Sequence, residues 1–472
     1  MRLSTLLRLA LAGSRTDILR VSLTAMSAAL AALAVLAAVT VLAIPGGVGV
    51  GGTVGLADQY RSNLLAESGL RLGVALGLVL LTLPVLGLAA QCGRLGAPAR
   101  DRRLAAIRLA GATPRQAVSL VAVETGVAST LGTVIGLAAY FIGRKALHRP
   151  DAAGQLALPT DVLPAPWALG AIAIGLPLLA TAVAAVLLRG VAANPFGVVR
   201  KVRLTAPRTW PGLLIVPGLA ACAVIGPLGR YAEGQKVELP SWVTPLLFFV
   251  GGLLALVGIL LGTGWISYTA GRVLHRLARR PAALLAARRL MADPWSGSRT
   301  FAALLACVMF GAGAAEVRAL LGAQFAAEEK LGLRQDTSFY FQSLDLVDAA
   351  VMVATAIAAA GLLVALAEGI VSRRRAFAAL VATGVPRATL AKSILWQVLA
   401  PVVPAVMVAL AVGAALIQGV VPDESTTPGT VPIPFADLAL LGAGALAVVL
   451  AVVGLGLLFL RSSTEIEELR TG

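Results

Sequence analysis

Charge is scarce in this sequence: 13% of its residues are Asp, Glu, Lys or Arg, while 58% are hydrophobic and the mean hydropathy is +0.89. That balance excludes a soluble domain, in which about a quarter of residues are charged. Histidine occurs only as His148 and His275, and cysteine only as Cys92, Cys222 and Cys307. With no Cys-x-x-Cys and no histidine cluster, neither a metal site nor a His-based catalytic triad is expected. The cysteines read as small packing residues. None of the five lysines, Lys145, Lys201, Lys236, Lys330 and Lys392, follows a glycine, so a Gly-Lys-Ser/Thr phosphate loop is absent. The chain is therefore expected to be no enzyme and to bind no cofactor directly. Gly47, Gly49 and Gly52 match the letters of a dinucleotide fingerprint. They follow a membrane helix rather than a strand, and read as a flexible outer loop.

Long apolar runs are what the sequence has in abundance. Crossing a bilayer takes about 20 apolar residues, and runs rich in Ala, Leu and Val without strand-like alternation select helices over a barrel. Such runs lie near 18–44, 70–92, 117–142, 165–189, 211–230, 243–268, 299–320, 346–371, 391–420 and 436–460, which predicts an all-α integral membrane protein with about ten spans. Residues 1–20 alternate leucine with arginine and suit a helix lying on the membrane surface. Of the 39 Lys and Arg, 29 fall in alternate connections and both ends, which places both termini in the cytoplasm. The net charge of +16 thus follows from topology and implies no nucleic acid partner. The longest outer connections, Pro45 to Gly69, Gly143 to Pro164 and Leu320 to Asp345, are too short for a self-standing domain. Residues 190–210 read as a cytoplasmic linker between two membrane halves, 1–189 and 211–472, and the basic inner segment 271–299 is helix-prone from Arg280 to Leu290.

One stretch occurs twice. Gly111 and Gly384 stand 273 residues apart, and superposing them sets Arg102 on Arg375, Ile107 on Leu380 and the intramembrane Glu124 on Gln397. In the first copy Arg102, Arg103 and Arg108 face water or a partner while Leu104, Ile107 and Leu109 cover one helical face. Gly111 then permits a tight turn, Thr113 is placed as an N-cap with Pro114 first in the next helix, and Arg115 follows. The second copy runs Arg373, Arg374, Arg375, then Gly384, Pro386 and Arg387, with the same expected logic. Because Gln397 is neutral, Glu124 reads as a hydrogen-bonded helix contact rather than a proton relay. Glu316 and Arg318, near the outer end of their span, either line a cavity or snorkel.

These two units resemble the FtsX-like permease family, membrane subunits of ABC transporters that include macrolide-export and lipoprotein-release systems. Arg102, Ile107, Arg108, Gly111, Ala112, Thr113, Arg115 and Glu124 are similar to the family's hinge pattern. Units at about 70–189 and 346–460 flanking ten spans are most similar to the bacitracin-type antibiotic-resistance permeases. The chain departs from the pattern at Arg103, Ala376 and Val381, and lacks the large outer domain those permeases carry between spans seven and eight. The resemblance implies a cytoplasmic ABC ATPase in two copies docked on the hinges, with ATP and Mg on that partner. It implies efflux or membrane extraction of an amphiphilic substrate across the bacterial inner membrane, in contact with membrane lipid. A signalling protein that relays ATPase cycles outward, or a proton-driven transporter, are the alternatives.

Overall fold

The structure, a computed structural model, describes residues 15–45, 47–48, 54–55, 57, 59–80, 82, 85, 106, 109, 111–152, 154–192, 210–235, 243–295, 301–330, 337–420 and 433–462. Two compact units divide the chain, residues 1–201 and 202–472. The protein is an all-α integral membrane protein; nine helical segments among the described residues are long and apolar enough to cross a bilayer. Of the span expected at 70–92, only the beginning is described.

The first unit contains α1 (Arg15–Leu42), the two-residue strands β1 (Gly47–Val48) and β2 (Val54–Gly55), α2 (Asn63–Ala66), α3 (Ser68–Leu80), α4 (Pro114–Leu147) and α5 (Pro166–Ala192). The surface helix expected at 1–20 lies largely outside the described residues, and its last part, from Arg15, continues into α1. Helix α1 packs on α3 and α4, and α4 packs on α5. At the end away from the hinge, the two connecting segments fold onto each other. Gly47, expected in a flexible loop, instead pairs antiparallel with Gly55. The amide of Leu156 donates to Gln59 O at 2.8 Å and that of Arg61 to Leu156 O at 3.1 Å. Val41, Ile44, Ala57, Tyr60, Leu65 and Leu156 close a small core beneath them. Neither segment suffices for a domain; joined, and rooted on membrane helices, they bury one.

Arg71, in α3, holds this end together. It is 4% exposed and donates through Nε to Leu65 O (2.7 Å), through Nη1 to Ile44 O (2.9 Å) and Pro45 O (3.1 Å), and through Nη2 to Ala66 O (2.9 Å). A buried cation is tolerable when its fork of donors is filled, and here carbonyls at the end of α1 and around α2 fill it. Beside it, Tyr60 donates to Asp161 Oδ1 and Gln59 to Asp161 Oδ2, each at 2.7 Å. Burial, and then the Asp161 hydrogen bond, push the Tyr60 hydroxyl up to about 12.

The second unit contains a 3-10 turn at Trp210–Leu214, α6 (Ile215–Ala223), α7 (Ile225–Gly234), α8 (Val243–Leu277), α9 (Pro281–Ala292), α10 (Ala302–Lys330), α11 (Ser338–Val371), α12 (Arg374–Ala382), α13 (Arg387–Gln418) and α14 (Phe435–Ser462). The span expected at 211–230 is broken at Val224, because Pro227 has no N–H to give to Ala223 O. Helix α13 carries Pro401 and Pro404 internally, which a membrane helix tolerates when neighbours satisfy the freed carbonyls. It packs against α6, α8, α9, α10 and α14.

Here the expected boundaries need correction. Leu320 to Asp345, read as an outer loop, is helical to Lys330 and again from Ser338. At 1.5 Å per residue the 34-residue α11 is about 51 Å long, well beyond the roughly 30 Å of hydrocarbon. The two helices therefore project as a pair. Phe325 lies 5.2 Å from Tyr340 and 6.1 Å from Phe341, ring centre to ring centre, joining them past the membrane. Their mixed polar and aromatic sequence hid these extensions from a search for apolar runs. Cys222 and Cys307 are free and buried, as packing residues should be; Cys92 lies outside the described residues.

Candidate functional site

Both repeated glycines turn the chain in the left-handed region, Gly111 at φ 97° and Gly384 at φ 90°. A residue with a Cβ resists this conformation, so the sequence demands glycine at both places. Each glycine is exposed, and each stands immediately before a long membrane helix, α4 or α13.

In the first hinge, Thr113 caps α4: the amide of Gln116 donates to Thr113 Oγ1 at 3.3 Å and the amide of Thr113 to Gln116 Oε1 at 2.9 Å. This reciprocal pair satisfies two orphan amides and fixes the angle at which α4 leaves the hinge. Arg115 is exposed beside it. Leu109, expected to cover an apolar face, is instead 91% exposed. Arg102, Arg103 and Arg108 lie outside the described residues.

The second hinge is a complete helix–turn–helix. Helix α12 ends in a Schellman turn, with the amide of Gly384 donating to Val381 O and that of Val385 to Leu380 O, both at 3.0 Å. Leu380, Val381 and Val385 pack against the core of Ile370, Phe377, Leu390 and Ile394, to which Leu457 of α14 also contributes. One apolar core thus joins α12 to α11, α13 and α14. The expected likeness of the two caps fails in one respect. Position 113 corresponds to Pro386, which is the N-cap of α13 and gives no side-chain hydrogen bond, and Arg387 rather than proline opens the helix. Arg374, Pro386 and Arg387 are exposed. Arg373 is half-buried, and burial pushes its guanidinium below its ordinary value.

The intramembrane polar residues separate from the hinges. Glu124 is 6% exposed on α4 and is held in a polar or electrostatic contact; its counterpart Gln397 is half-buried on α13. Glu316 and Arg318 both make polar contacts with neighbouring helices. Glu316 is 1% exposed, where α10 meets α13; Gln418 hydrogen-bonds its carboxylate, and its Oε1 has no hydrogen-bond partner. Arg318 reaches across to α11, with Nη2 donating to Asp345 Oδ1 at 2.8 Å and Asp348 Oδ2 at 2.7 Å. These contacts bind α10 to its neighbours. Among the described residues no group of three or more His, Cys, Asp or Glu is arranged to hold a metal.

Sequence reasoning missed Arg71 and α9's contact with the second hinge.

No match is found among curated proteins or solved structures. A family model described as FtsX-like permease C-terminal matches residues 74–195 and 349–465, just over half of the chain. Each matched stretch contains one hinge glycine and the membrane helix that follows it. Two glycine hinges of one geometry, each inside a matched segment, leave one conclusion: the chain belongs to the FtsX-like permease family.

Proposed function

We propose that this permease couples ATP hydrolysis by a pair of separate cytoplasmic ABC ATPase subunits, carrying ATP and Mg, to the export or membrane extraction of an amphiphilic compound such as an antibiotic, peptide or lipid. The family is an ABC-transporter-type membrane permease, a membrane component normally paired with an ATPase and not itself the enzyme. The observation that carries the reading is the pair of positive-φ glycines at equivalent places, each turning an exposed segment into a long membrane helix. Arg115, Arg374 and Arg387 are exposed and supply positive charge that an acidic docking surface would meet, and Arg102, Arg103, Arg108, Arg373 and Arg375 make the same stretches of sequence basic. Leu109, 91% exposed, is the kind of side chain a docked partner covers. In this reading the protein sits in a bacterial cytoplasmic membrane with hinges and termini inside, against lipid and a lipid-like cargo.

The test is co-purification of the tagged chain with the ATPase produced from the neighbouring gene. Wild type should retain it, and the chain with Arg102, Arg103, Arg374 and Arg375 all changed to Glu should lose it. Retention by the reversed chain would remove the hinges as docking sites.

A second reading, in which ATPase cycles are relayed to an outer partner, draws support from the length of α10 and α11. A rigid helix pair carries motion outward. In vesicles, Phe325→Ala should abolish partner activation and leave cargo movement intact if relay is the output. In a proton-driven mechanism through Glu124, Glu124→Gln should abolish transport, whereas the ATP-driven reading expects transport within about threefold of wild type.

A further inference from the structure

The basic inner connection of the second unit is built as a helical hairpin. Helix α9 runs back along α8: a Cβ on Gly271 would meet Leu290 Cβ at 2.9 Å, and one on Gly264 would meet the Trp295 ring at 2.8 Å. One face of α9, with Ala282, Ala283, Ala286, Ala287 and Leu290 buried, seats it on α8 and α13. Arg289 on its flank lies over the Phe377 ring of hinge helix α12, with Cζ 5.6 Å from the ring centre. Such a cation–π contact joins the hairpin to the hinge.

The tip of this hairpin lies beyond the lipid. The apolar run of α8 ends near Tyr268, which with Trp265 is of a residue type typical of the membrane interface. Leu277 is nine residues further on, about 14 Å along the axis. From Gly271 to Ala292 there are six arginines and no acidic residue. Arg276, Arg279 and Arg280 are exposed around the tip. Among them Leu277 is 73% exposed, Leu285 39% and Leu284 37%. A solvated basic hairpin needs no leucine at its tip, and Leu277 stands beyond the reach of the hydrocarbon. Aliphatic side chains ringed by one sign of charge are the composition of a docking face for a protein of opposite charge.

We propose that the α8–α9 hairpin is a second docking surface for the ATP-binding partner, continuous with hinge helix α12. This rests on the reading of the protein as an ATPase-coupled permease. The partner's recess is apolar with an acidic rim, and Arg289 ties the two surfaces so that they move as one. Force applied at the hinge then reaches α8 as well as α11 and α13.

The experiment measures binding of the purified ATP-binding subunit to the full-length chain in nanodiscs, with two reversal variants compared. Arg276→Glu, Arg279→Glu and Arg280→Glu together should weaken binding on the order of tenfold or more and flatten its salt dependence. The same positions changed to Lys should restore binding to near wild type. Because all three side chains are exposed, an unchanged melting temperature confirms that folding is intact. The hinge variant, Arg374→Glu with Arg387→Glu, reports on the underlying reading. Loss in both variants, or in the hairpin variant alone, supports the inference. Loss in the hinge variant alone overturns the hairpin surface while leaving the permease reading in place. Failure of the wild type to bind the subunit overturns both. Unaltered subunit binding in the hairpin variant, combined with loss of a phosphatidylglycerol-dependent rise in melting temperature, assigns the arginines to lipid and also overturns it.

Discussion

The two units keep the same turn at the hinge and differ at the opposite end. Gly111 and Gly384 have φ values of 97° and 90°. Away from the hinges, the first unit ends in short connections pinned by Arg71, Tyr60 and Asp161, whereas the second extends two helices joined by Phe325, Tyr340 and Phe341. The hinge turn is fixed by backbone sterics that only glycine relieves, so a duplicated unit keeps it. The far ends face no such constraint, and each has found its own way to bury apolar surface. Under the proposed function, a common hinge with divergent far ends is what a shared ATPase and unit-specific outer tasks would require.

The largest effect is expected at Arg71. Arg71→Ala leaves four carbonyls without their donor in a buried site and should cost about 3–5 kcal/mol. Hydrogen exchange should rise over residues 43–66 and not over α10 or α11. If both units loosen equally, their far ends are not independent in the way the contrast supposes.

Next come the glycines, where the units are alike. Gly111→Val and Gly384→Val should each cost roughly 1–3 kcal/mol, because a β-branched residue is strained at positive φ. The two penalties should agree within error in thermal melts of the purified chain. A large inequality would mean that the shared φ hides different constraints.

The caps then separate the hinges. Thr113→Ala should cost about 1 kcal/mol through loss of the reciprocal cap, while Pro386→Ala should change stability by only a few tenths. Smaller still is Arg318→Ala, which releases two exposed carboxylates and should cost about 1 kcal/mol or less. Its effect should appear as faster exchange across the α10–α11 pair.

The last effect shows only at strongly alkaline pH. Tyr60 loses its proton near 12 in the folded chain, against an ordinary value of 10.0. The folded state therefore holds this proton more tightly than the unfolded state. Its contribution is complete below about pH 10 and is lost as pH rises from about 10 to 12. Unit one should loosen in that window, and Tyr60→Phe should abolish the loosening.

Much of this was legible beforehand, for identifiable reasons. Apolar runs report membrane helices because lipid offers the backbone no other partner, so α1, α4, α5, α8, α13 and α14 lie where composition put them. The hinge glycines were readable because their requirement is local. Arg71 was not, since its acceptors are main-chain carbonyls that leave no trace in residue identity. Nor were the extensions of α10 and α11, where the helix continues after the apolar run has stopped. Nor was the hydrogen bond of Glu316 with Gln418, about a hundred positions away, which no nearby residue announces.

By itself, then, the sequence determined the membrane class, the helical architecture, the duplication and the two turns, because each depends on solvation or on backbone sterics within a few residues. Only the tertiary structure decided which charges are buried against carbonyls, which are paired across helices, and that Arg289 lies over Phe377. Those outcomes depend on groups far apart in the chain meeting at hydrogen-bond or ring-contact distance, and no local pattern records that meeting.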